Sequence, residues 1–373
     1  MKTIGLCMIV KNEAHVIERC LDSVKRLLDY VLIVDTGSDD GTPQVINNWL
    51  KINNIPGEVL SEPWKNFAHN RTFALKKLRE RDDIDYAFMI DADEIIVYED
   101  NFDVDSFKNN LYAEIYDIIT NMGGFTYNRP TLTSNKRQSR YEGVVHEFLS
   151  FEDGAGSRDT ARGFYNKPIQ DSARNRSSNK FLKDAELLEE ALSTDISDWF
   201  RSRYTFYLAQ SYRDGGKPDK ALEKYLLRAE QGFWNEEVYM SLYSAANIMK
   251  SLGHSKEKIV QTYLKAYEAS PNRGEALHAA IQFCRINGMN QQGYMIGKHA
   301  INLTYPEGSL FAEKWVYEFA ILDEFSIVAY WAGHFEESKI ACEKLLSEGK
   351  IPQGYVDRVK SNLQFALDKL GIN

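Results

Sequence analysis

YAFMIDADE, residues 86–94, gives the clearest indication of the fold of the N-terminal part of this 373-residue chain. An apolar and aromatic run of strand length comes first, and an acidic turn follows at once. Two similar runs lie upstream, TIGLCMIV at 3–10 and YVLIV at 30–34. Near-continuous apolar strands are typical of parallel sheets that are covered on both faces. These segments therefore predict an α/β domain.

Helical segments separate the predicted strands. Apolar residues fall at three- and four-residue spacing from about Glu13 to Leu28, a helix restarts near Pro43, and another covers about 68–81. Further strands are expected at 57–60 and within 120–150. Alternation of strands and helices predicts a Rossmann-like, mostly parallel sheet, whose ligands bind at the carboxyl ends of the strands.

The second half of the chain is predicted to be all-α. From about residue 179 one helix follows another, and turn glycines recur at Gly216, Gly253 and Gly288, a spacing close to the roughly 34 residues of a tetratricopeptide repeat. We therefore predict an α/β domain over 1–165 and tetratricopeptide-like helices over 181–373. Residues 166–180 between them are predicted to be a linker or a mobile active-site segment.

Composition limits the classes of partner and location. The net charge of -9 and the pI of about 5.4 argue against nucleic acid as the main partner, since such binding depends on basic residues. The four cysteines form no CxxC pair, so no zinc site is expected. No run of about twenty apolar residues predicts a transmembrane helix, and the apolar N-terminus resembles a first strand more than a signal peptide. The cytoplasm is the expected location.

The acidic turn carries the strongest chemical pattern. Asp91 and Asp93 follow a strand at positions i and i+2, so both can reach one divalent cation and a bound diphosphate. Mg²⁺ and Mn²⁺ prefer such oxygen ligands. The alternative is a solvated acidic turn. As a strand-end carboxylate, Asp93 is expected to be exposed, so Asp93→Ala should leave the fold intact.

Two more polar segments are expected at the same edge of the sheet. Asp35 ends the strand at 30–34 within VDTGSDDGT and can accept hydrogen bonds from a ribose or a base, whereas Asp40 and Thr42 are expected to cap the following helix in part. Lys11-Asn12-Glu13 follows the first strand. For Glu13, a favourable position in the first turn of a helix is as good an interpretation as a ligand contact.

The motifs MIVKNE, IVDTGSDDGT and IDADE, in this order, resemble family 2 glycosyltransferases of the GT-A fold. EPWKNFAHNR at 62–71 and YEGVVHE at 141–147 resemble a subgroup with C-terminal tetratricopeptide-like repeats. That subgroup includes bacterial enzymes that glycosylate peptide cysteines, such as the sublancin-type S-glycosyltransferases. The resemblance implies a metal-dependent, inverting enzyme that moves a hexose, of glucose type, from a UDP-sugar to a peptide, a glycan or another acceptor.

The resemblance also implies roles for the donor-binding positions. Asp35 would hold the uracil or the ribose, and Glu13 would stand near the uridine. Arg71 would lie close to the base and the phosphates. Asp91 would contact the ribose or the metal, and Ala92 lies between the two aspartates.

The implied metal is Mn²⁺ or Mg²⁺, with Asp93 and Asp91 as ligands and His146 as a further contact to metal or diphosphate. For His146, a structural hydrogen-bonded histidine is an equally good interpretation. Related sequences often carry Asp where Asn66 stands here, so a role that needs a charge at this position is in doubt.

An inverting transfer needs a base that takes the proton of the acceptor. The candidates are Glu94, Glu142, Glu147 and Asp159, with Glu147 and Glu94 first.

Two other functions stay open. One is a repeat scaffold with a degenerate transferase domain, against which the intact acidic motifs count. The other is a nucleotidyltransferase, but such enzymes usually carry a glycine-rich loop after the first strand, where this chain has KNEAHV. The helical repeats are expected to bind the acceptor or to form a homodimer.

Overall fold

The structure is a computed structural model that describes residues 1–123, 126–176 and 179–372. The chain divides into two compact units, Met1–Ala191 and a second that begins at Leu192. Unit 1 holds the mostly parallel sheet and unit 2 the helical hairpins, which confirms the predicted fold class. The division falls at the last residue of helix 180–192, whereas the predicted repeat domain starts at 181, near the beginning of this helix.

Unit 1 contains eleven strands and five helices among its described residues. The strands are β1 Ile4–Val10, β2 Tyr30–Asp35, β3 Gly57–Ser61, β4 Tyr86–Met89, β5 Glu94–Tyr98, β6 Ile115–Asn121, β7 Thr126–Ser134, β8 Ser139–Glu142, β9 Phe148–Phe151, β10 Arg158–Thr160 and β11 Phe164–Pro168. The helices are α1 Ile17–Val24, α2 Thr42–Asn53, α3 Phe67–Arg79, α4 Val104–Asn109 and α5 Lys180–Leu192.

The main sheet has the strand order β3-β2-β1-β4-β7-β6-β11-β5, with β10 paired to β6. Strands β3, β2, β1 and β4 are parallel, and β7 is antiparallel to both β4 and β6. Alternate residues of β1 face opposite sides: Leu6 and Met8 pack in a core with α1 and α2, whereas Cys7 packs with α3. The sheet is therefore covered on both faces, as the apolar strands predicted.

Several predicted elements differ from the observed ones. The helix predicted from Glu13 to Leu28 begins only at Ile17, because residues 13–16 form a turn in which Ile17 N–H donates to Glu13 O. A 3₁₀ turn at Lys25–Leu27 ends it. Strand β5 and the short strands β10 and β11 were not predicted, since three to five residues give little periodicity.

Unit 2 is built from helical hairpins. Its helices are α6 Asp198–Asp214, α7 Pro218–Glu230, α8 Asn235–Ser251, α9 Lys256–Ala269, α10 Glu275–Ile286, α11 Asn290–Ala300, α12 Ile321–Trp331, α13 Phe335–Glu348 and α14 Val356–Leu370. A π-helical turn at Val316–Ala320 leads into α12.

The hairpin turns of unit 2 explain the glycine period. Gly216, Gly253 and Gly288 have φ values of 71°, 72° and 73°, in the left-handed region that residues with a Cβ rarely adopt. In the part of the chain that the structure describes, no helix is long and apolar enough to cross a membrane.

Candidate functional site

The carboxyl ends of β1, β2 and β4 lie side by side. The parallel register pairs Val10 with Asp35 and Cys7 with Met89, and Thr36 N–H donates to Val10 O at 2.9 Å. The polar segments that follow these strands therefore meet at one edge of the sheet, as predicted.

The loops after β1 and β2 are tied to each other. Asn12, with a φ of 60°, donates its N–H to Ser38 Oγ at 2.8 Å, and its Oδ1 accepts the N–H of Asp39 at 2.9 Å. Glu13 N–H donates to Thr42 Oγ1 at 2.8 Å. Asp40 accepts the N–H of Thr42, the first residue of α2, at 3.0 Å. The N-cap position is Gly41, which has no side-chain cap, so Asp40 contacts the start of the helix without being its N-cap.

Asp35 is buried beside this loop pair. Its carboxylate accepts the N–H groups of Gly37 at 3.2 Å and Ser38 at 3.1 Å, so it also stabilises its own turn. The predicted contact of Asp35 with a ribose or a base stays a prediction.

The acidic turn after β4 is closed by its own hydrogen bonds. Asp91 N–H donates to Glu94 Oε2 at 3.1 Å, and Glu94 N–H donates to Asp91 O at 3.0 Å. Asp93 and Glu94 are buried, at 9% and 4% exposure, whereas 37% of the Asp91 side chain is exposed. The turn therefore presents Asp91 more than the other two carboxylates.

Two arginines hold the carboxylates of this region. Arg71, on α3, lies 2.6 Å from Asp91 Oδ1 and 2.7 Å from Glu147 Oε1. Arg129, on β7, lies 3.7 Å from Asp91 Oδ2 and pairs with Glu94 Oε2 at 2.5 Å. Burial would raise the pKa of Asp91, but the two guanidinium groups lower it below its usual value. Asp91 is therefore held ionised.

Residues 169–176 contact the carboxylates of Asp93 and Glu13. Asn175 Nδ2 donates to Asp93 Oδ2 at 2.8 Å and Ser172 N–H donates to the same oxygen at 3.3 Å. Ala173 N–H donates to the Glu13 carboxylate at 3.3 Å, and Asp171 forms a two-pronged ion pair with Arg19 on α1. Within the predicted segment 166–180, these residues belong to the site, 166–168 belong to β11, and 177 and 178 lie outside the described residues.

Glu13 has a perturbed pKa. Burial raises it to about 7, and the charges of Asp93, Asp40 and Asp171 act in the same direction, although the Ala173 N–H opposes them. A carboxyl of this kind exchanges a proton near neutral pH, so its charge depends on what binds beside it.

His146 and Glu147 lie in the loop between β8 and β9. This hairpin is held on α3, where Tyr141 N–H donates to Thr72 Oγ1 at 2.9 Å. Glu147 thereby reaches Arg71. His146 has a φ of 53°. Among residues 1–123, 126–176 and 179–372, no three His, Cys, Asp or Glu side chains form a group that could hold a metal. The predicted contact of His146 with a metal or a diphosphate stays a prediction.

The two preferred candidate bases are both ion-paired. Glu94 meets Arg129, and Glu147 meets Arg71. Neither Arg129 nor the contacts of residues 172–175 could be predicted from the sequence, because neither has a local pattern. Asn66, where related sequences often carry Asp, caps α3 by accepting the N–H of His69 at 2.8 Å, a role that needs no charge.

Comparison with known proteins adds a family. Residues 6–100 match the family model described as glycosyl transferase family 2. This stretch runs from β1 past the end of β5 and contains Glu13, Asp35, Arg71 and the acidic turn.

Relatives match parts of the chain. A TPR repeat-containing protein of Synechococcus elongatus is 29% identical over 154 residues, which cover 40% of this chain and 36% of that protein. An uncharacterized glycosyltransferase of Rickettsia felis is 25% identical over 243 residues, 63% of this chain and 77% of that protein. Among solved structures, S. aureus TarS 1-349 shares 13% identity at a TM-score of 0.36, covering 72% of this chain and 91% of that chain. That likeness is too weak to assign a ligand here.

Proposed function

We propose that this chain transfers a hexose from a UDP-sugar with the help of Mn²⁺ or Mg²⁺. It belongs to glycosyl transferase family 2 through residues 6–100, and tetratricopeptide-like hairpins follow later in the sequence. The observation that carries the proposal is the meeting of Glu13, Asp35 and the acidic turn at one sheet edge, the place where α/β sheets bind ligands.

Asp91 and Asp93 are the proposed metal ligands. Mg²⁺ is commonly held by one or two carboxylates together with substrate phosphates, so a site without a third protein ligand fits this ion. Both side-chain hydrogen bonds recorded for Asp93 within the described residues fall on Oδ2, which leaves Oδ1 for a cation. When bound, the metal would offset the negative charge that develops on the departing diphosphate.

The side chains of this site would divide the remaining tasks. Asp35 and Glu13 are proposed to orient the nucleoside, because Asp35 ends β2 and Glu13 lies three residues past the end of β1. For the base that accepts the acceptor's proton, Glu147 is the better candidate, since 13% of its side chain is exposed against 5% for Glu94. A base so close to Arg71 would need that ion pair to loosen as the acceptor arrives.

The acceptor is proposed to be a peptide, a glycan or another molecule that contacts unit 2. The three most exposed tryptophans of that unit are Trp234 at 50%, Trp315 at 44% and Trp331 at 65%. Exposed indoles are enriched in binding surfaces. Replacing all three by alanine should weaken acceptor binding and leave UDP binding unchanged; equal acceptor affinity would remove them from this role.

The test of the donor and the metal has two steps. A thermal-shift panel of UDP, GDP, CMP and dTDP sugars with Mn²⁺ selects the donor, and hydrolysis of that donor is then measured with Mn²⁺ and with excess EDTA. We expect stabilisation by UDP-sugars and hydrolysis that chelation abolishes.

A matched pair of variants follows, Asp93→Asn at the site and Asp82→Asn at an exposed position on the loop before β4. Only the first should lose hydrolysis. Full activity in EDTA would reject the metal, and the absence of any nucleotide-sugar response would reject the donor. Pyrophosphate release from a nucleoside triphosphate would instead indicate a nucleotidyltransferase.

A further inference from the structure

Arg129 is the residue of the site whose role the family resemblance leaves unassigned. Strand β7 pairs antiparallel with β4 only from Leu132 onward, so its earlier residues run past the carboxyl end of β4. Arg129 therefore projects over the acidic turn, where it meets Glu94 at 2.5 Å and Asp91 at 3.7 Å.

Both oxygens of Asp91 consequently face a cation of the protein itself, Oδ1 facing Arg71 and Oδ2 facing Arg129. The two arginines share three carboxylates, those of Asp91, Glu94 and Glu147. A divalent cation added at Asp91 would meet two positive groups already in place. A diphosphate arriving with it would remove that repulsion, since guanidinium groups bind phosphate oxygens well.

We propose that Arg129 neutralises Asp91 in the free protein and there competes with the divalent metal for this carboxylate. Once the metal is bound, Arg129 binds the diphosphate instead. This inference rests on the proposed function, because it requires a metal and a nucleoside diphosphate at the acidic turn. It makes the binding of the two ligands interdependent, with Arg129 as the coupling group.

Arg129 suits this role better than Arg71 does. Arg71 has only 14% of its side chain exposed, has a second carboxylate partner in Glu147, and lies over the Tyr141 ring. Arg129 keeps 29% of its side chain exposed, and its distance of 3.7 Å from Asp91 is a looser pairing. Arg129 can therefore break its contact with Asp91 while its ion pair with Glu94 stays in place.

A purely structural role for Arg129 predicts the opposite result for metal binding. If Arg129 only neutralised Glu94 and held the turn in shape, its removal would disorder the turn and weaken Mn²⁺ binding. If Arg129 competes with the metal, its removal takes a like charge away from Asp91 and strengthens Mn²⁺ binding.

The experiment measures Mn²⁺ binding to the full chain without nucleotide, from the electron paramagnetic resonance signal of free Mn²⁺. Arg129→Met should bind Mn²⁺ more tightly than the wild type, by roughly tenfold. At saturating Mn²⁺, calorimetry should show the same variant binding UDP about tenfold more weakly. Arg129→Lys keeps the charge and should bind Mn²⁺ like the wild type.

The matched control is Arg158→Met. Arg158 also pairs with a carboxylate, Asp117, in the contact between β10 and β6, and its loss should change neither affinity. Should Arg129→Met not fold, Arg129→Met/Glu94→Gln compared with Glu94→Gln gives the same test, because the buried unpaired carboxylate is then absent.

The proposed competition between Arg129 and Mn²⁺ for Asp91 is refuted if the wild type binds both Mn²⁺ and UDP and Arg129→Met binds Mn²⁺ no more tightly than the wild type. If Arg129→Met binds UDP with the affinity of the wild type, the proposed contact of Arg129 with the diphosphate is refuted. A wild type that binds neither Mn²⁺ nor UDP refutes the proposed function itself, and this inference with it.

Discussion

Asp93→Ala should destabilise the part of unit 1 that contains residues 169–176. The sequence placed Asp93 at a strand end and predicted an exposed carboxylate whose loss spares the fold. The expected exposure is wrong, because Asp93 is only 9% exposed and its Oδ2 accepts hydrogen bonds from Ser172 N–H and Asn175 Nδ2. Asn175 is itself oriented by Lys180, whose Nζ donates to Asn175 Oδ1 at 2.7 Å.

The magnitude follows from the two hydrogen bonds. A hydrogen bond to a charged group contributes about 1.5–3 kcal/mol, and the 2.8 Å bond from Asn175 should lie in this range. The 3.3 Å bond from Ser172 is long and should contribute less. We therefore expect Asp93→Ala to cost about 2–4 kcal/mol and Asn175→Ala about 1.5–3 kcal/mol, mostly as local opening of residues 169–176.

The assay combines urea unfolding with limited trypsin digestion, read by mass spectrometry at Arg174 and Arg176. Cleavage at these two sites should be fastest in Asp93→Ala, intermediate in Asn175→Ala and slowest in the wild type. The reasoning is refuted if Asp93→Ala is cleaved at these sites no faster than the wild type and unfolds at the same urea concentration.

This pair of variants also separates two causes of lost activity. Asn175→Ala loosens residues 169–176 but keeps the carboxylate of Asp93. Asp93→Ala loosens the segment and also removes the carboxylate. Loss of transfer confined to Asp93→Ala would assign the chemistry to the carboxylate. Equal loss in both variants would show that residues 169–176 must be held in place.

Three further predictions concern the nucleotide, the pH and the repeats. Asp35→Ala should weaken UDP binding by about 1–3 kcal/mol; an unchanged Kd by calorimetry would remove Asp35 from the site. Burial raises the pKa of Glu13 from 4.5 to about 7, so the folded state binds this proton more tightly than the unfolded chain. The resulting stabilisation is complete below pH 4.5 and is lost as the pH rises through 7. The free energy of unfolding of the wild type relative to Glu13→Gln should therefore fall across this window; a difference that does not vary with pH would contradict the burial of Glu13. Gly253→Ala should lower stability by about 1 kcal/mol in thermal unfolding, since Gly253 has a φ of 72°; an unchanged Tm would contradict this.

The elements that could be predicted from the sequence are those with a local pattern. Apolar runs of strand length fixed β1, β2 and β4, and because these strands are parallel, the polar residues that follow them had to meet at one edge. The turn glycines at 216, 253 and 288 predicted the hairpins of unit 2, because only a residue without a Cβ adopts a positive φ cheaply.

The pairing of charged side chains, in contrast, depends on how the chain packs. Arg129 reaches Glu94 because β7 runs antiparallel past the end of β4, and Asn175 reaches Asp93 from 82 residues further along the chain. Neither Arg129 nor Asn175 lies in a periodic pattern or a motif from which its partner could be predicted. Hydrogen bonds and ion pairs depend on distances of about 3 Å between atoms far apart in sequence, and only the packed chain sets those distances.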